Sequence, residues 1–357
     1  MSSTKKLPAT RLQNRLLEWF SRHQRAMPWR AVKGHRPNPY HVWLSEIMLQ
    51  QTTVVTVGPY FLKFISKWPA VEALAQASND DVMAAWAGLG YYARARNLHK
   101  CAKVVATELN GQFPQDEKSL QELPGIGPYT AAAIASIAFD QPAVAVDGNV
   151  ERVVSRMFAI REPLPLSKPV IREKAALLAK GNKKPGDFTQ AFMELGATVC
   201  TPRKPKCGLC PWRADCAARV AGIAEDLPAK QEKRAKPVRY GKVFWITNGK
   251  GQFLIHKREE KGLYGSMYQL PTTEWISDKP EAKKLKPPVP VTGVAALNAE
   301  VRHSLTHFDL ILEIWTGKSR SKKEFGNSAW ISPEELEDYA IPSLMKKAIR
   351  LCKSLSA

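Results

Sequence analysis

The sequence lacks any long run of apolar residues. Its longest strongly apolar stretch lies around Ala131 to Phe139, well short of the ~18 residues that a membrane-spanning helix needs. The N-terminus, MSSTKKLPATRLQNRLLEWF, has no continuous apolar core of the kind that a secretory signal carries; its leucines and aromatics instead have the spacing of an amphipathic helix. We therefore expect no signal peptide and no transmembrane segment, and a cytoplasmic protein, associated with the nucleoid if the source is bacterial.

Cysteine is scarce outside one cluster. Cys101 and Cys352 each stand alone in a helical pattern, whereas the other four cysteines have the spacing C-x6-C-x2-C-x5-C: Cys200, Cys207, Cys210 and Cys216. In a reducing compartment such cysteines are thiols or metal ligands rather than disulfides. Zinc and an iron–sulfur cluster both accept four thiolates. A single short C-x2-C flanked by longer gaps favours an iron–sulfur cluster over zinc, but the spacing alone leaves zinc as an alternative.

Acidic residues are few relative to basic ones. Lysine and arginine number 53 against 33 aspartates and glutamates, which gives a net charge of +20 and a pI of about 9.7. A charge of this size indicates a polyanionic partner, nucleic acid first and a membrane surface second; a merely soluble basic protein is the alternative. The loop between the first two clustered cysteines, TPRKPK, places Arg203 and Lys204 where a bound metal would hold them for phosphate contacts. An ordinary solvated basic loop has the same composition.

The pattern of apolar residues changes along the chain. At 357 residues the chain exceeds the size at which one core stops growing. Residues 8 to 222 have helical periodicity, and we expect prolines such as Pro39, Pro59 and Pro185 to break the helices. A charged stretch at 225–238 indicates a linker, and after it a hairpin signal, Asn248-Gly249-Lys250-Gly251, separates two strand-like runs. This pattern predicts an all-α region over 1–224 and a smaller α+β domain over 239–357.

LPGIGPYTAAA, residues 123–133, predicts a tight turn between two helices. Gly125 and Gly127 would allow close approach and positive φ, and the amides at the start of the next helix attract a phosphate. Leu123 and Ile126 would attach the turn to the core. A DNA-backbone hairpin is the favoured interpretation, and a plain helix connector is the alternative.

Two carboxylates are candidate active-site groups because each lies next to or within an apolar run. Asp147, in VDGNVERVVSRM, comes directly after the apolar PAVAV and suits either an active-site group or an ordinary helix N-cap. Glu46, in VWLSEIMLQQTTV, stands inside an apolar run, where an unpaired glutamate is unfavourable unless it is functional. Exposure on a solvent face is the alternative for Glu46. Gln50, Gln51 and Thr52 follow it as uncharged groups suited to base edges.

These motifs, in the order SEIMLQQT, GLGYYARARNLHK, LPGIGPYTA, VDGNV and the four-cysteine loop, resemble the helix–hairpin–helix DNA glycosylases of the endonuclease III superfamily. Within it the chain looks most like the MutY-type adenine DNA glycosylases. The resemblance implies a multidomain protein: an all-α glycosylase region, divided into a six-helix module at about 31–141 and an iron–sulfur module at about 1–30 and 142–224, followed by a MutT (Nudix)-like α+β domain. It also implies one [4Fe–4S] cluster on the four cysteines.

The resemblance further implies site roles. Glu46 is the general acid that protonates adenine, and Asp147 stabilises the oxocarbenium-like sugar; Asn149 and Tyr129 orient Asp147 and the sugar. Lyase-competent relatives carry a lysine where Tyr129 stands, and a phenol cannot form a Schiff base, so we expect a monofunctional enzyme. The resemblance also implies that Gln50 and Tyr91 are wedges that fill the gap left by the flipped base. It implies that the adenine pocket is lined by Trp29, Arg30 and Gln190.

The C-terminal domain is expected to sense 8-oxoguanine. Where the family usually has Phe-Ser-His, this chain has Leu305-Thr306-His307; Thr306 keeps a hydroxyl and His307 is retained. The acidic Arg-Glu…Glu-Glu box of MutT-like hydrolases is missing, so we expect no nucleotide hydrolysis. The expected partner is duplex DNA with 8-oxoguanine:adenine or guanine:adenine mispairs, bound by a monomer without a membrane. The alternatives are an endonuclease III-like glycosylase for other damaged or mismatched bases, and a non-catalytic DNA-binding protein.

Overall fold

A computed structural model of the chain describes residues 8–32, 34–232, 235–260, 262–277, 291–319 and 326–356. The chain divides into two compact units, one from residues 1–75 with 100–233 and one from residues 76–99 with 234–357. This division assigns residues 76–99 to the second unit, whereas the sequence pattern groups them with the N-terminal helices. The linker predicted at 225–238 includes residues 233 and 234, which lie outside the described residues.

Helices make up the first unit and part of the second. They are, in chain order, α1 (Ala9–His23), α2 (Pro39–Leu49), α3 (Val54–Lys67), α4 (Val71–Gln76), α5 (Asn79–Trp86), α6 (Ala93–Glu108), α7 (Glu117–Gln121), α8 (Pro128–Phe139), α9 (Gly148–Met157), α10 (Lys168–Ala179), α11 (Pro185–Thr198), α12 (Ala217–Val220) and α13 (Ser343–Ser356). Short 3₁₀ turns occupy Cys207–Leu209 and Glu334–Asp338. Over the ranges that the structure describes, none of these helices combines the length and apolarity that crossing a bilayer demands.

Proline begins helices here more often than it ends them. Pro39 and Pro185 occupy the first helical position of α2 and α11, where the missing N–H has no intrahelical partner to lose. The expectation that Pro59 breaks a helix is wrong, because α3 continues through it. Pro59 lacks the N–H that would donate to the carbonyl of Val55, a residue that is 85% exposed, so water can satisfy that oxygen and reduce the usual penalty.

The core of the first unit joins its N-terminal and C-terminal helices. Apolar side chains of α1, α9, α10 and α11 form one buried cluster that includes Leu12, Phe20, Val153, Ile171, Phe192 and Trp212. The Trp212 indole N–H donates to the Leu12 carbonyl at 2.8 Å, and the Gln13 amide donates to the Leu178 carbonyl at 2.8 Å. These contacts fix α1 against the helices that carry the four-cysteine loop and the Asp147 segment.

The second unit is built on a mixed six-stranded sheet. Its strands are β1 (Val238–Thr247), β2 (Phe253–Lys257), β3 (Tyr268–Gln269), β4 (Thr292–Ser304), β5 (Asp309–Lys318) and β6 (Ser328–Ile331). The order is β3-β2-β1-β5-β4, with β6 paired to β2. β1 and β5 are parallel, in a register that pairs Gly241 with Leu312, and the β1–β2 hairpin predicted around Asn248 is confirmed as an antiparallel pair.

Candidate active site and cluster loop

The helix–turn–helix at residues 117–139 begins one wall of the site. Gly125 has φ of +79°, a conformation that favours glycine. Gly127 has φ of −90° and serves as the N-cap of α8, so the expected positive φ holds for Gly125 alone. Leu123 and Ile126 are buried as predicted. Within the described part of the chain the Gly127 amide donates to no backbone carbonyl, which leaves it available to an anion.

Tyr129 follows this turn in the first turn of α8, and its phenol points to a carboxylate. The hydroxyl donates to Oε2 of Glu46 at 3.0 Å. Burial and the neighbouring Glu46 and Asp147 charges raise the pKa of Tyr129 well above its usual value. The phenol is therefore a neutral hydrogen-bond donor at physiological pH.

Glu46 lies in α2, whose residues from Tyr40 to Met48 are nearly all buried. Glu46 is only 7% exposed, which contradicts the alternative that it lies on a solvent-exposed face of the helix. Burial raises the pKa of Glu46 to about 7, against the lowering effect of the Tyr129 hydrogen bond and with help from the charge of Asp147. A carboxyl group with this pKa is populated in both protonation states near neutral pH, as a general acid requires.

Asp147 is an N-cap and a site residue at once, so the two interpretations are compatible. Oδ1 accepts from the Val150 amide at 2.8 Å, which caps α9, and Oδ2 accepts from Nδ2 of Asn149 at 2.7 Å. Burial raises the pKa of Asp147, although the Val150 and Asn149 hydrogen bonds oppose this. The capping bonds hold the carboxylate in a single orientation.

Arg30 and Gln190, both predicted to line the adenine pocket, are directly hydrogen-bonded, and Arg30 also binds a carboxylate that sequence reasoning missed. Nε of Arg30 donates to Oε1 of Gln190 at 3.1 Å, and Nη2 of Arg30 donates to Glu194 at 3.1 Å. Glu194 also accepts from Nε of Arg25 at 2.6 Å. Burial alone would raise the pKa of Glu194, but Arg25 and Arg30 outweigh it and lower that pKa, so Glu194 stays ionised.

The signal that identified Glu46 was also present at Glu194. Glu194 is the single charged residue in the apolar run AFMELGA, and it is 1% exposed. It lies four residues after Gln190, on the same face of α11. Its basic partners come from the segment after α1, a long-range pairing that helical periodicity does not reveal.

These groups line one cavity of about 760 Å³. Its wall contains ten of the residues singled out from the sequence: Trp29, Arg30, Glu46, Gln50, Gln51, Thr52, Tyr129, Asp147, Asn149 and Gln190. Gln50 is further fixed by a 3.1 Å hydrogen bond to the Thr130 hydroxyl. A volume of this size fits a nucleoside-sized ligand.

The remaining predicted residues are not among those that line this cavity. Tyr91 and Lys204 are non-glycine residues with positive φ, at 49° and 47°, as is Gln51 of the cavity wall at 59°, a conformation uncommon outside glycine. Tyr91 belongs to the second unit and is 50% exposed. Arg203 is exposed in the cysteine loop, as is Lys204. The predicted lesion-sensing pair is exposed in the turn between β4 and β5: Thr306 and His307.

The four clustered cysteines line a common small cavity at residues 200–216. Among the described residues, no three His, Cys, Asp or Glu side chains converge closely enough to hold a single metal ion. Four sulfurs around one zinc would lie within about 4 Å of one another, given a Zn–S distance of ~2.3 Å. An all-thiolate donor set spread around a shared cavity fits a larger iron–sulfur cluster better. Arg156 donates to Sγ of Cys200 at 3.4 Å, a hydrogen bond that suits a thiolate ligand.

Comparison with family models gives three matches. Residues 44–178 match the HhH-GPD superfamily base excision DNA repair protein model, residues 200–216 match the iron–sulfur binding domain of endonuclease III, and residues 242–351 match the NUDIX domain. The first two confirm the predicted helix–hairpin–helix region and its cluster loop, and the chain carries a [4Fe–4S] cluster. The third confirms the predicted Nudix-like C-terminal domain.

Curated relatives and solved structures agree with these matches. Adenine DNA glycosylase of Homo sapiens is 33% identical over 96% of this chain and 74% of that protein. The enzyme of the same name from Buchnera aphidicola subsp. Schizaphis graminum is 33% identical over 95% of this chain and 97% of that protein. A solved structure of a thermostable thymine-DNA glycosylase has a TM-score of 0.53 and 29% identity, over 60% of this chain and 97% of that chain.

The matches to these relatives extend over nearly the whole chain and so include the helical site, the cluster loop and the Nudix domain together. The chain belongs to the adenine DNA glycosylase family of helix–hairpin–helix base excision repair proteins.

Proposed function

We propose that this chain hydrolyses the N-glycosidic bond of adenine mispaired with 8-oxoguanine or guanine in duplex DNA. One observation carries the proposal: two carboxyl groups of different character share one cavity with a neutral phenol. Glu46, with a pKa raised to about 7, carries a proton in part of the population near neutral pH. Burial also raises the pKa of Asp147, but an amide and a side-chain donor oppose that shift and hold its carboxylate in place. Pairs of this kind divide acid and anion roles in glycoside cleavage.

In the proposed reaction, Glu46 donates its proton to N7 of adenine. Protonation makes the base a better leaving group, so the bond between C1′ and N9 breaks with its electron pair going to the base. The sugar gains positive charge, which the Asp147 carboxylate stabilises. Water then adds to C1′ and loses a proton, giving an abasic site and free adenine.

The pocket chemistry supports recognition of a flipped purine. Adenine must leave the base stack to reach the carboxyl groups, and Gln50 and Tyr91 are proposed to fill the gap. Trp29 contacts Phe61 edge-on at 5.5 Å between ring centroids, which fixes one wall of the cavity. Gln190, which also lines the cavity, is oriented by Arg30 because its Oε1 accepts from that guanidinium. Its Nε2 donates to the Gly186 carbonyl at 3.4 Å, and its second Nε2 hydrogen is proposed to donate to an acceptor of the base.

The Tyr129 phenol supports a monofunctional enzyme. A lyase needs an amine to attack C1′ and form a Schiff base, and Tyr129 offers a neutral hydroxyl hydrogen-bonded to Glu46. Its proposed role is to orient Glu46, the carboxyl group that it contacts, whereas the resemblance implied that it orients Asp147 and the sugar.

The charge and exposure of other segments support DNA binding. Gly125 and Gly127 would bind a phosphate through backbone amides, and Arg203 and Lys204 would add charge from the loop that the cluster stabilises. Thr306 and His307, exposed in a turn closed by the Leu305 amide and the Phe308 carbonyl at 2.9 Å, are proposed to contact 8-oxoguanine.

The test is single-turnover excision on duplexes that pair adenine with 8-oxoguanine, guanine or thymine. We expect the fastest release opposite 8-oxoguanine, and we expect Thr306→Ala with His307→Ala to reduce that preference without abolishing cleavage of guanine:adenine pairs. Efficient borohydride trapping, together with release of oxidised pyrimidines, would instead favour the endonuclease III-like alternative. Unchanged base release by Glu46→Gln would remove Glu46 as the acid.

A further inference from the structure

The turn between α5 and α6, residues 87–92, carries the proposed wedge residue Tyr91, and we refer to it as the wedge turn. Gly88, Gly90 and Tyr91 have positive φ, at 108°, 71° and 49°, a conformation that glycine adopts readily and other residues seldom. The Arg94 amide closes the turn by donating to the Tyr91 carbonyl at 2.8 Å. Half of the Tyr91 surface is exposed, so its ring is accessible to DNA.

A buried arginine holds the wedge turn in this conformation. Nη2 of Arg94 donates to the carbonyls of Leu89 at 3.2 Å and of Gly90 at 3.3 Å. The guanidinium carbon lies 5.5 Å from the centroid of the Tyr91 ring and 5.2 Å from that of the Trp86 ring, and both are cation–π contacts. The backbone of the turn and the ring of the wedge are therefore fixed by the same side chain.

Residues next to the wedge turn contact the C-terminal domain, and these contacts lie within the second unit. Nη1 of Arg96 donates to the Gly265 carbonyl at 2.7 Å. The rings of Tyr92 and Tyr264, both buried, meet edge-on with their centroids 6.1 Å apart. The Tyr92 hydroxyl also accepts from the Gly88 amide at 3.4 Å, which links the ring pair to the wedge turn.

The turn that contains Gly265 has a shape that few sequences allow. A β-carbon at Gly265 would lie 2.1 Å from the Glu260 carbonyl oxygen, so a side chain does not fit there. Tyr264 and Ser266, on either side, have positive φ at 59° and 61°. These constraints fix the direction of the Gly265 carbonyl, which is the acceptor for Arg96.

Two kinds of contact join the α5–α6 segment to the C-terminal domain, and only one of them bears on the wedge. The Lys257 ammonium lies 2.6 Å from the Asp80 carboxylate, but this partly exposed pair at the start of α5 contributes little to stability. Tyr92 and Arg96 instead lie within five positions of Tyr91. Their contacts therefore act on the segment that determines where the wedge ring lies.

We propose that Arg96 and Tyr264 are positioning residues for the wedge, through which the C-terminal domain holds Tyr91 in the geometry that enters the duplex. The inference rests on the proposed function, because it takes Tyr91 as a residue that fills the gap left by the flipped adenine. The same domain carries Thr306 and His307, so the wedge and the surface proposed to contact 8-oxoguanine belong to one compact unit. Loss of the contact should slow the flipping of adenine and leave the chemical step unchanged.

The test measures base flipping separately from base release, on the full-length protein with its cluster. A duplex with 2-aminopurine beside the adenine opposite 8-oxoguanine reports unstacking by stopped-flow fluorescence, and quenched samples of the same reaction report excision. Arg96→Met should slow unstacking about tenfold, as expected for loss of a charge-assisted hydrogen bond. Arg172→Met, at an exposed position of α10, is the matched control. Affinity for a duplex with an abasic-site analogue should stay unchanged, because that ligand has no base to flip.

Further variants separate positioning from a folding defect. Arg96→Lys keeps a donor for the Gly265 carbonyl and Tyr264→Phe keeps the ring, so both should retain most of the parent rate. Tyr264→Ala should slow unstacking as Arg96→Met does. Tyr91→Ala completes a double-mutant cycle: because Arg96 acts through Tyr91, adding Arg96→Met to Tyr91→Ala should cause no further loss.

The outcomes distinguish the inference from the proposed function. Slow unstacking in Tyr91→Ala together with the parent rate in Arg96→Met would overturn the inference and leave the wedge assignment intact. The parent rate of unstacking in Tyr91→Ala would overturn the wedge assignment and the inference together. Equal rates in Arg96→Met and Arg172→Met, or losses that multiply in the double variant, would also overturn the inference.

Discussion

Nη2 of Arg152 donates to Oδ1 of Asn149 at 2.9 Å. Because this bond occupies the amide oxygen, Asn149 presents its Nδ2 hydrogens to Asp147, 2.7 Å away. Arg152 also donates to the Cys200 carbonyl at 2.7 Å and to the Gly196 carbonyl at 2.7 Å. One buried arginine thus connects the proposed catalytic carboxylate to α11 and to the first cysteine of the cluster loop.

Arg152→Gln should slow base excision by about 10- to 100-fold, the size of effect expected when a reacting group is misplaced. The variant lets the Asn149 amide rotate, so Asp147 loses a donor. Single-turnover rates on an 8-oxoguanine:adenine duplex would measure this, with affinity for an uncleavable duplex measured in parallel.

Arg172→Gln, on an exposed position of α10, is the control for Arg152→Gln. Parallel losses of rate and of duplex affinity would argue for a general folding defect. A loss of rate at unchanged affinity identifies Arg152 as a positioning residue.

The carboxyl–amide motifs were visible in the sequence, but the links between them were not. Asp147 and Glu46 were identified from local patterns, because a polar residue next to an apolar run is unusual wherever the fold places it, and the role of Asn149 was implied by the family resemblance. Arg152 follows Asn149 by three residues, yet its partner Cys200 is 48 positions away. Such a pairing depends on how α9 packs against α11, where a β-carbon at Gly196 would lie 2.5 Å from Cβ of Asn149.

The fold was predictable to a similar degree. Hydrophobic periodicity predicted helices before the linker, since each period reflects one buried face, and a turn signal between two strand-like runs predicted the hairpin after it. The wrong prediction at Pro59 shows what a local pattern does not contain, because whether a proline ends a helix depends on the solvent exposure of the carbonyl it leaves unpaired. The Arg25–Glu194–Arg30 group was missed for a related reason: Glu194 is more than 160 positions away from each of the two arginines.

Glu46→Gln should stabilise the protein at high pH. The folded-state pKa of Glu46 is raised from 4.5 to about 7, so its contribution to stability is fully present below pH 4.5 and is lost as the pH rises through 7. A shift of this size corresponds to about 3 kcal/mol at pH 9. Urea unfolding should show the variant more stable than the parent at pH 9 and equal to it at pH 4.5. An equal free energy of unfolding at pH 9 would mean that the Glu46 carboxylate is well solvated.

The same pKa predicts how excision responds to pH. Glu46 must be protonated to act as the acid, so the single-turnover rate should fall as the pH rises above about 7. Glu46→Gln should remove base release across the whole range, whereas Glu173→Gln, exposed on α10, should keep both the rate and the profile. A rate that rises steadily from pH 7 to 9 would contradict an acid role.

Glu194→Gln should reduce excision about tenfold or more, because hydrogen bonds to charged groups contribute ~1.5–3 kcal/mol. The change weakens the bonds to Arg25 and Arg30 and so frees the Gln190 amide to rotate. Single-turnover excision measures the effect, and binding of a duplex with an abasic-site analogue should be unchanged because that ligand has no base to contact Gln190. Glu173→Gln again serves as the control, and equal excision by both variants would exclude Glu194 as a positioning residue.

Removal of the cluster should loosen the loop at 200–216 and disturb the carboxylate side of the site. Arg156, which is 2% exposed, donates to Sγ of Cys200 and to the carbonyls of Thr201 and Pro202, so the loop is attached to the helix that Asp147 caps. Cys207→Ser should lose the cluster and with it the broad visible absorbance of a thiolate-bound iron–sulfur centre. Limited trypsin digestion should then cut at Arg203 or Lys204 faster than in the parent, and excision should fall while far-UV circular dichroism changes little. Cys101→Ser, at a buried thiol in α6, is the control and should keep the absorbance. Two results would contradict this account: zinc in place of iron in the parent protein, or a loop that resists trypsin equally well without the cluster.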